Sequence, residues 1–100
     1  MRQLTSNDRK YLRSLAHHLK PVVYVGKQGV TDNLVAATDE ALEALELVKV
    51  KFNEFKDEKG RLADEIETRT GAALVDIIGN VAILYREQED EEKRRITLPA

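Results

Sequence analysis

A chain of 100 residues, with 34% charged and 42% hydrophobic side chains, has room for one small core but not for a catalytic domain beside a separate binding domain. Cysteine is absent, which excludes disulfides, thiolate nucleophiles and thiolate metal sites and suits a reducing compartment. No apolar stretch reaches membrane-spanning length and the first residues lack the apolar segment of a secretory signal, so a cytoplasmic location is expected.

Thr5, followed three residues later by Asp8, reads as a capping box with aspartate in place of glutamate and predicts a helix start. Tyr11, Leu12, Leu15, Ala16 and Leu19 recur at helical spacing and are expected to be buried. Arg9, Arg13 and Lys20 fall at spacings of four and seven and are expected to line one exposed side of the same helix. Pro21 sets the limit of that helix, because proline disfavours the helical conformation in the residue before it.

Val22 to Val25 is a short β-branched strand, and it leads directly into Gly26-Lys27-Gln28-Gly29. Thr31 then caps a second helix reaching about Leu45. Its Leu34, Val35, Thr38, Ala41, Leu42 and Leu45 are expected inward, and Asp32, Asp39, Glu40 and Glu43 outward. From Leu47 to Phe52 the chain alternates. Val48, Val50 and Phe52 face the core, and Lys49 and Lys51 project from the other side. Asn53 to Gly60 is polar and turn-rich, interrupted by Phe55.

A third helix runs from about Gly60 to Thr70, with Gly71 placed to end it. Two apolar strands, Ala73 to Ile78 and Val81 to Arg86, are separated by Gly79-Asn80, a pair suited to a two-residue hairpin. The order is α-β-α-β-α-β-β in one α/β domain spanning 1–100, with no internal repeat or linker. Residues 87–95 have the composition of a flexible acidic segment. Ile96-Thr97-Leu98 reads as a strand end returning to the sheet.

The loop at Gly26 to Gly29 is a candidate backbone clamp. Both glycines can take positive φ and admit a close approach. Thr31 caps the next helix, whose free N–H groups and positive dipole end point back toward the loop. Lys27 adds a mobile cation, and Gln28 completes the tip. An anionic, repeating ligand such as an RNA backbone suits this arrangement, as in the Gly-x-x-Gly clamp of KH domains.

The formal charge of −2 is no obstacle. Residues 1–30 hold Arg2, Arg9, Lys10, Arg13, Lys20 and Lys27 against Asp8 alone; the other acids come later in the chain, among them Asp32, Asp39, Glu40 and Glu43 on the second helix and the run from Glu87 to Glu92. One face can therefore keep a positive field on a slightly acidic chain.

Taken as ordered segments, Leu4-Thr5, Leu12-Arg13, Ala16-His17, Leu19-Lys20-Pro21-Val22-Val23, Val25-Gly26-Lys27-Gln28-Gly29-Val30-Thr31 and Glu46-Leu47-Val48-Lys49-Val50-Lys51 closely resemble the CRM domain, also called the CRS1-YhbY domain. Ile78-Gly79, Leu84-Tyr85-Arg86 and Ile96-Thr97-Leu98-Pro99 fit the same family, and at this length the chain is similar to its stand-alone bacterial YhbY-like members.

The resemblance implies a mixed sheet with helices packed on it, like the C-terminal domain of translation initiation factor three, with a KH-like Gly-x-x-Gly loop. It also implies RNA binding, with ribosomal RNA of large-subunit precursors as the partner. Here the loop joins a strand to a helix, whereas KH domains place it between two helices, so KH base-reading rules do not transfer. The RNA-binding residues expected on this basis are Gly26, Lys27, Gln28 and Gly29, with Arg9, Arg13, Lys20, Lys49 and Lys51 extending a cationic track.

His17 and His18 are adjacent, so on a helix they point about 100° apart and cannot chelate one ion from the same face. Packing or a hydrogen bond beside the core is expected of His17, and exposure of His18. Tyr24 and Tyr85 are aromatics able to stack on bases, in strands that equally allow burial. Neither a nucleophile turn nor a Walker loop is present, so no catalysis, cofactor or metal is expected. The alternative function is a protein-interaction adaptor on pre-ribosomal particles, docking through the acidic second helix.

Overall fold

The computed structural model describes residues 3–99; Arg2, counted above among the basic residues, lies outside them. The expected order is present as α1 (Ser6–Ala16), β1 (Val23–Val25), α2 (Asp32–Leu45), β2 (Leu47–Phe52), α3 (Lys59–Thr70), β3 (Ala73–Ile78) and β4 (Val81–Tyr85), with 3-10 turns at Lys56–Glu58 and Glu91–Lys93. Thr5 and Asp8 form the capping box at the start of α1, each side chain accepting the other's backbone N–H at 3.0 Å. Thr31 caps α2, and Gly71 ends α3 at φ 72°.

The four strands make one mixed sheet in the order β1-β2-β4-β3. Strand β1 runs parallel to β2, with Val23 opposite Val50 and Val25 opposite Phe52, and α2 supplies the crossover that parallel neighbours require. The other pairs are antiparallel, and β3 turns into β4 through Gly79-Asn80. Gly79 takes φ 59°, as such tight hairpins demand. Lys59 holds this turn, its Nζ donating to the carbonyl of Gly79 at 2.6 Å.

Because strand side chains alternate, the sheet has a core on each face. Val25, Val48, Val50, Phe52, Ala82 and Leu84 pack with Leu42, Leu62, Ala63 and Ile66 under α2 and α3. On the opposite face Leu47, Val75, Ile83 and Tyr85 pack with Leu4, Leu12 and Ala16 under α1.

Helix α1 is shorter than its periodicity suggests. It stops at Ala16; the N–H of His17 closes it on the carbonyl of Arg13 at 3.1 Å, and the N–H of Leu19 turns back to Ala16 at 3.0 Å. The extended backbone required before Pro21 takes the chain toward β1, where the N–H of Val22 already bonds the carbonyl of Lys49 at 3.0 Å. Lys20 is therefore not on the helix. Tyr11 and Leu19, expected in the buried stripe, are 37% and 40% exposed, and Leu45 of α2 is likewise exposed. His17 is exposed rather than packed beside the core.

The C-terminal segment is tied down by a buried acid. Glu46, which ends α2 at φ 65°, accepts the N–H of Gln88 at 2.8 Å on one carboxylate oxygen. Its other oxygen accepts Arg95 at 2.6 Å and Ile96 at 3.0 Å. Within the 87–95 stretch, Arg94 donates to the carbonyl of Gln88 at 2.7 Å and pairs with Glu87 at 3.5 Å. Ile96 and Leu98 return to the α1-side core, as expected, but without forming a strand.

Candidate nucleic-acid interface

Gly26 to Gly29 is a turn closed by the N–H of Gly29 on the carbonyl of Gly26 at 3.0 Å, with Lys27 and Gln28 exposed at its tip. The two glycines serve different needs. Gly29 sits at φ +72°, where an L side chain is strained, whereas Gly26 is not among the positive-φ residues and a Cβ there would meet nothing within 4 Å. Only one of the two is thus required by the loop's own conformation.

The connection after β2 supports the loop from beneath. The N–H groups of Asn53 and Glu54 converge on the carbonyl of Val25 at 3.0 and 3.2 Å. Phe55 follows at φ 56°, an unusual conformation for a bulky residue. Its ring edge lies 3.6 Å from where a Gly29 Cβ would stand. Sequence reading did not find this brace, since a positive φ at phenylalanine has no compositional signal.

The helix end behind the loop is partly occupied. The Thr31 hydroxyl accepts the N–H of Leu34 at 3.1 Å, and Asp32 stands in the first turn of α2. Arg69 pairs with Asp32 and with Glu65 at 3.2 Å. The hydrogen bonds to Asp32 and then Glu65 raise the Arg69 pKa above its ordinary value. This guanidinium offsets the acid in the first turn of α2.

The expected cations divide into two groups. Lys27 and Lys51 are exposed at the same end of the sheet, since Lys51 lies opposite Tyr24 in the register that brings Val25 to Phe52. Lys49, one pleat further along the same face, is half-buried and donates to the carbonyl of Leu19 at 2.9 Å. Arg13 reaches the edge of that face, 3.7 Å from Asp76. Lys20 is exposed in the α1–β1 connection.

Arg9 is elsewhere. It donates to the carbonyls of Leu74 at 2.8 Å and Val75 at 3.4 Å on β3. That strand is the opposite edge of the sheet from the loop, three strand spacings or roughly 14 Å away. Of the basic side expected of α1, Arg9 and Arg13 remain together, both turned to the irregular β3 edge where the register shifts between Leu74 and Asp76, while Lys20 has left the helix.

Of the two tyrosines expected in strands, Tyr85 is buried and Tyr24 is 53% exposed. The signal for this was legible, because with Val23 and Val25 turned to the core Tyr24 must face the other way. The His17 and His18 rings meet edge to face at 5.1 Å.

The family model for the CRS1 / YhbY (CRM) domain matches residues 4–86. The chain is 41% identical over 97 residues to "Probable RNA-binding protein YqeI" of Bacillus subtilis, covering 96% of this chain and 99% of that protein. It is 37% identical over 100 residues to a protein of Haemophilus influenzae named "RNA-binding protein", covering 99% and 98%. The solution structure of SAV1595 from Staphylococcus aureus matches the fold with a TM-score of 0.81 at 38% identity, covering 97% of this chain and 100% of that one. The chain belongs to the CRS1 / YhbY (CRM) domain family.

Proposed function

We propose that this protein is a non-catalytic, cytoplasmic RNA-binding module that grips the backbone of ribosomal RNA in large-subunit precursors. The observation that carries the reading is the open turn at Gly26: nothing stands within 4 Å of its missing Cβ, and the exposed Lys27 and Lys51 lie at the same end of the sheet. A phosphodiester can approach the bare backbone there while the lysines neutralise its charge. The names of the relatives from B. subtilis and H. influenzae support RNA as the ligand, and the family resemblance points to large-subunit precursors.

The adaptor reading is weaker. Of the four outer acids of α2 on which it depends, three are already engaged, Asp32 by Arg69 and both Asp39 and Glu43 by Arg86, which leaves the exposed Glu40.

Filter binding of ribosomal RNA across a salt series tests the proposal. Affinity should fall steeply with salt, and the Lys27→Ala/Arg13→Ala double variant should lower the logarithmic slope by about two. No binding at low salt, or unchanged affinity in the double variant, would overturn it.

A further inference from the structure

The register leaves half of one sheet face bare. Helix α1 covers the end that carries Leu47, Tyr85 and Ala73, and it stops before the end adjoining the Gly26 loop. There one row crosses all four strands on a single face: Tyr24 pairs with Lys51, Lys51 with Val81, and Val81 with Ile78. At strand spacing the row is roughly 14 Å long. Tyr24 is 53% exposed and Ile78 57% exposed. Beside it the end of α1 and the sheet enclose a cleft of about 190 Å³, walled by His17 and Arg13 and floored by Lys49 and Val81, with no acid among its lining residues.

Scattered exposed hydrophobics need no explanation, but here Val81 and Ile78 adjoin on β4 and β3 and Lys51 stands between them and Tyr24, so one row carries an apolar pair, a cation and an aromatic side by side. Lys51 in the row and Lys49 in the next decide what suits it. An apolar protein surface would have to desolvate both amines, whereas a nucleotide offers them phosphate and offers the ring a flat π-face. Paired bases hide those faces; unpaired bases present them. The acid at the margin, Asp76, is engaged by Arg13 and by the N–H of Ile77 at 2.8 Å.

We propose that this bare half-face seats unpaired nucleotides that flank the backbone held at the loop. A base stacks on Tyr24, Ile78 and Val81 give an apolar floor, and Lys49 and Lys51 hold the phosphates. The inference rests on the RNA-binding reading above and deepens it: the protein selects a single-stranded segment beside the backbone it grips.

The test compares a short oligouridine with an RNA duplex of equal length. Tyr24→Ala should weaken oligouridine binding on the order of ten-fold, the effect of losing one stacked base, and change duplex binding less than about two-fold. Tyr24→Phe, which keeps the ring and removes only its hydrogen bond to the carbonyl of Pro21 at 3.3 Å, should bind as wild type. The chain has no tryptophan, so Tyr24→Trp provides a single reporter whose fluorescence oligouridine should quench saturably and duplex should not. Lys27→Ala should weaken both RNAs.

If both RNAs bind through Lys27 but Tyr24→Ala affects neither or both equally, the stacking seat is wrong and the RNA-binding proposal stands. If neither RNA binds at low salt, both are wrong.

Discussion

At Gly26 and Gly29 one motif combines two unlike requirements. Gly29 is held at φ +72° by the turn itself, so Gly29→Ala should cost about 1 kcal/mol of stability through left-handed strain. Gly26 has no such constraint and open space around its missing Cβ. Gly26→Ala should leave urea unfolding within about 0.5 kcal/mol of wild type, or slightly stabilise the fold by restricting the unfolded chain, while weakening RNA. A stability loss at Gly26 equal to that at Gly29 would show the loop to be built differently.

Glu46 anchors the C-terminal segment. Its buried carboxylate accepts three backbone N–H groups from Gln88, Arg95 and Ile96, and a hydrogen bond to a charged group contributes about 1.5–3 kcal/mol net of its exchange with water. Glu46→Ala should destabilise by about 3 kcal/mol and remove hydrogen-exchange protection from the Arg95 and Ile96 amides. Retained protection would contradict the clamp.

At the scale of elements, the ending of α1 at Ala16 matters more than its start. Had the helix run on to Lys20, it would have extended over the sheet half that now lies open between Tyr24 and Ile78. The start was legible, because Thr5 and Asp8 form a local capping box. The end was not, since His17, His18 and Leu19 are acceptable helix residues and the stop comes from the strand that Pro21 and Val22 must join.

The same contrast holds elsewhere. Alternation in β2 and the Gly79-Asn80 pair are local patterns, and both strand and hairpin stand where the pattern placed them. The Glu46 clamp, the Phe55 brace and the engagement of Arg9 with β3 are contacts between distant residues that no spacing encodes. Arg9 and Lys51 therefore make an opposed pair. Arg9→Ala should cost about 1–2 kcal/mol of stability by stripping a partner from the Leu74 carbonyl, with the salt slope of RNA binding unchanged. Lys51→Ala, at an exposed position, should leave urea unfolding nearly unchanged and lower the slope by about one.

Across the whole molecule, charge is sorted. Arg69 offsets Asp32, and Arg86 joins Asp39 and Glu43 to the carbonyl of Thr70 at 2.7 Å, so arginines of α3 and the end of β4 occupy acids of α2. Exposed pairs of this sort add little to stability. Their consequence is electrostatic: three acids of α2 are partly neutralised, and the lysines at the open end of the sheet act on a ligand against a small net charge of −2.

Mapping backbone amide shifts while titrating ribosomal RNA at low salt tests the central claim most directly. If the loop and the open sheet face hold RNA, the largest changes fall on Gly26 to Gly29 and on Tyr24 and Lys51, with the outer face of α2 at Asp39, Glu40 and Glu43 unmoved. Changes centred on that acidic face, with the glycine loop silent, would contradict it.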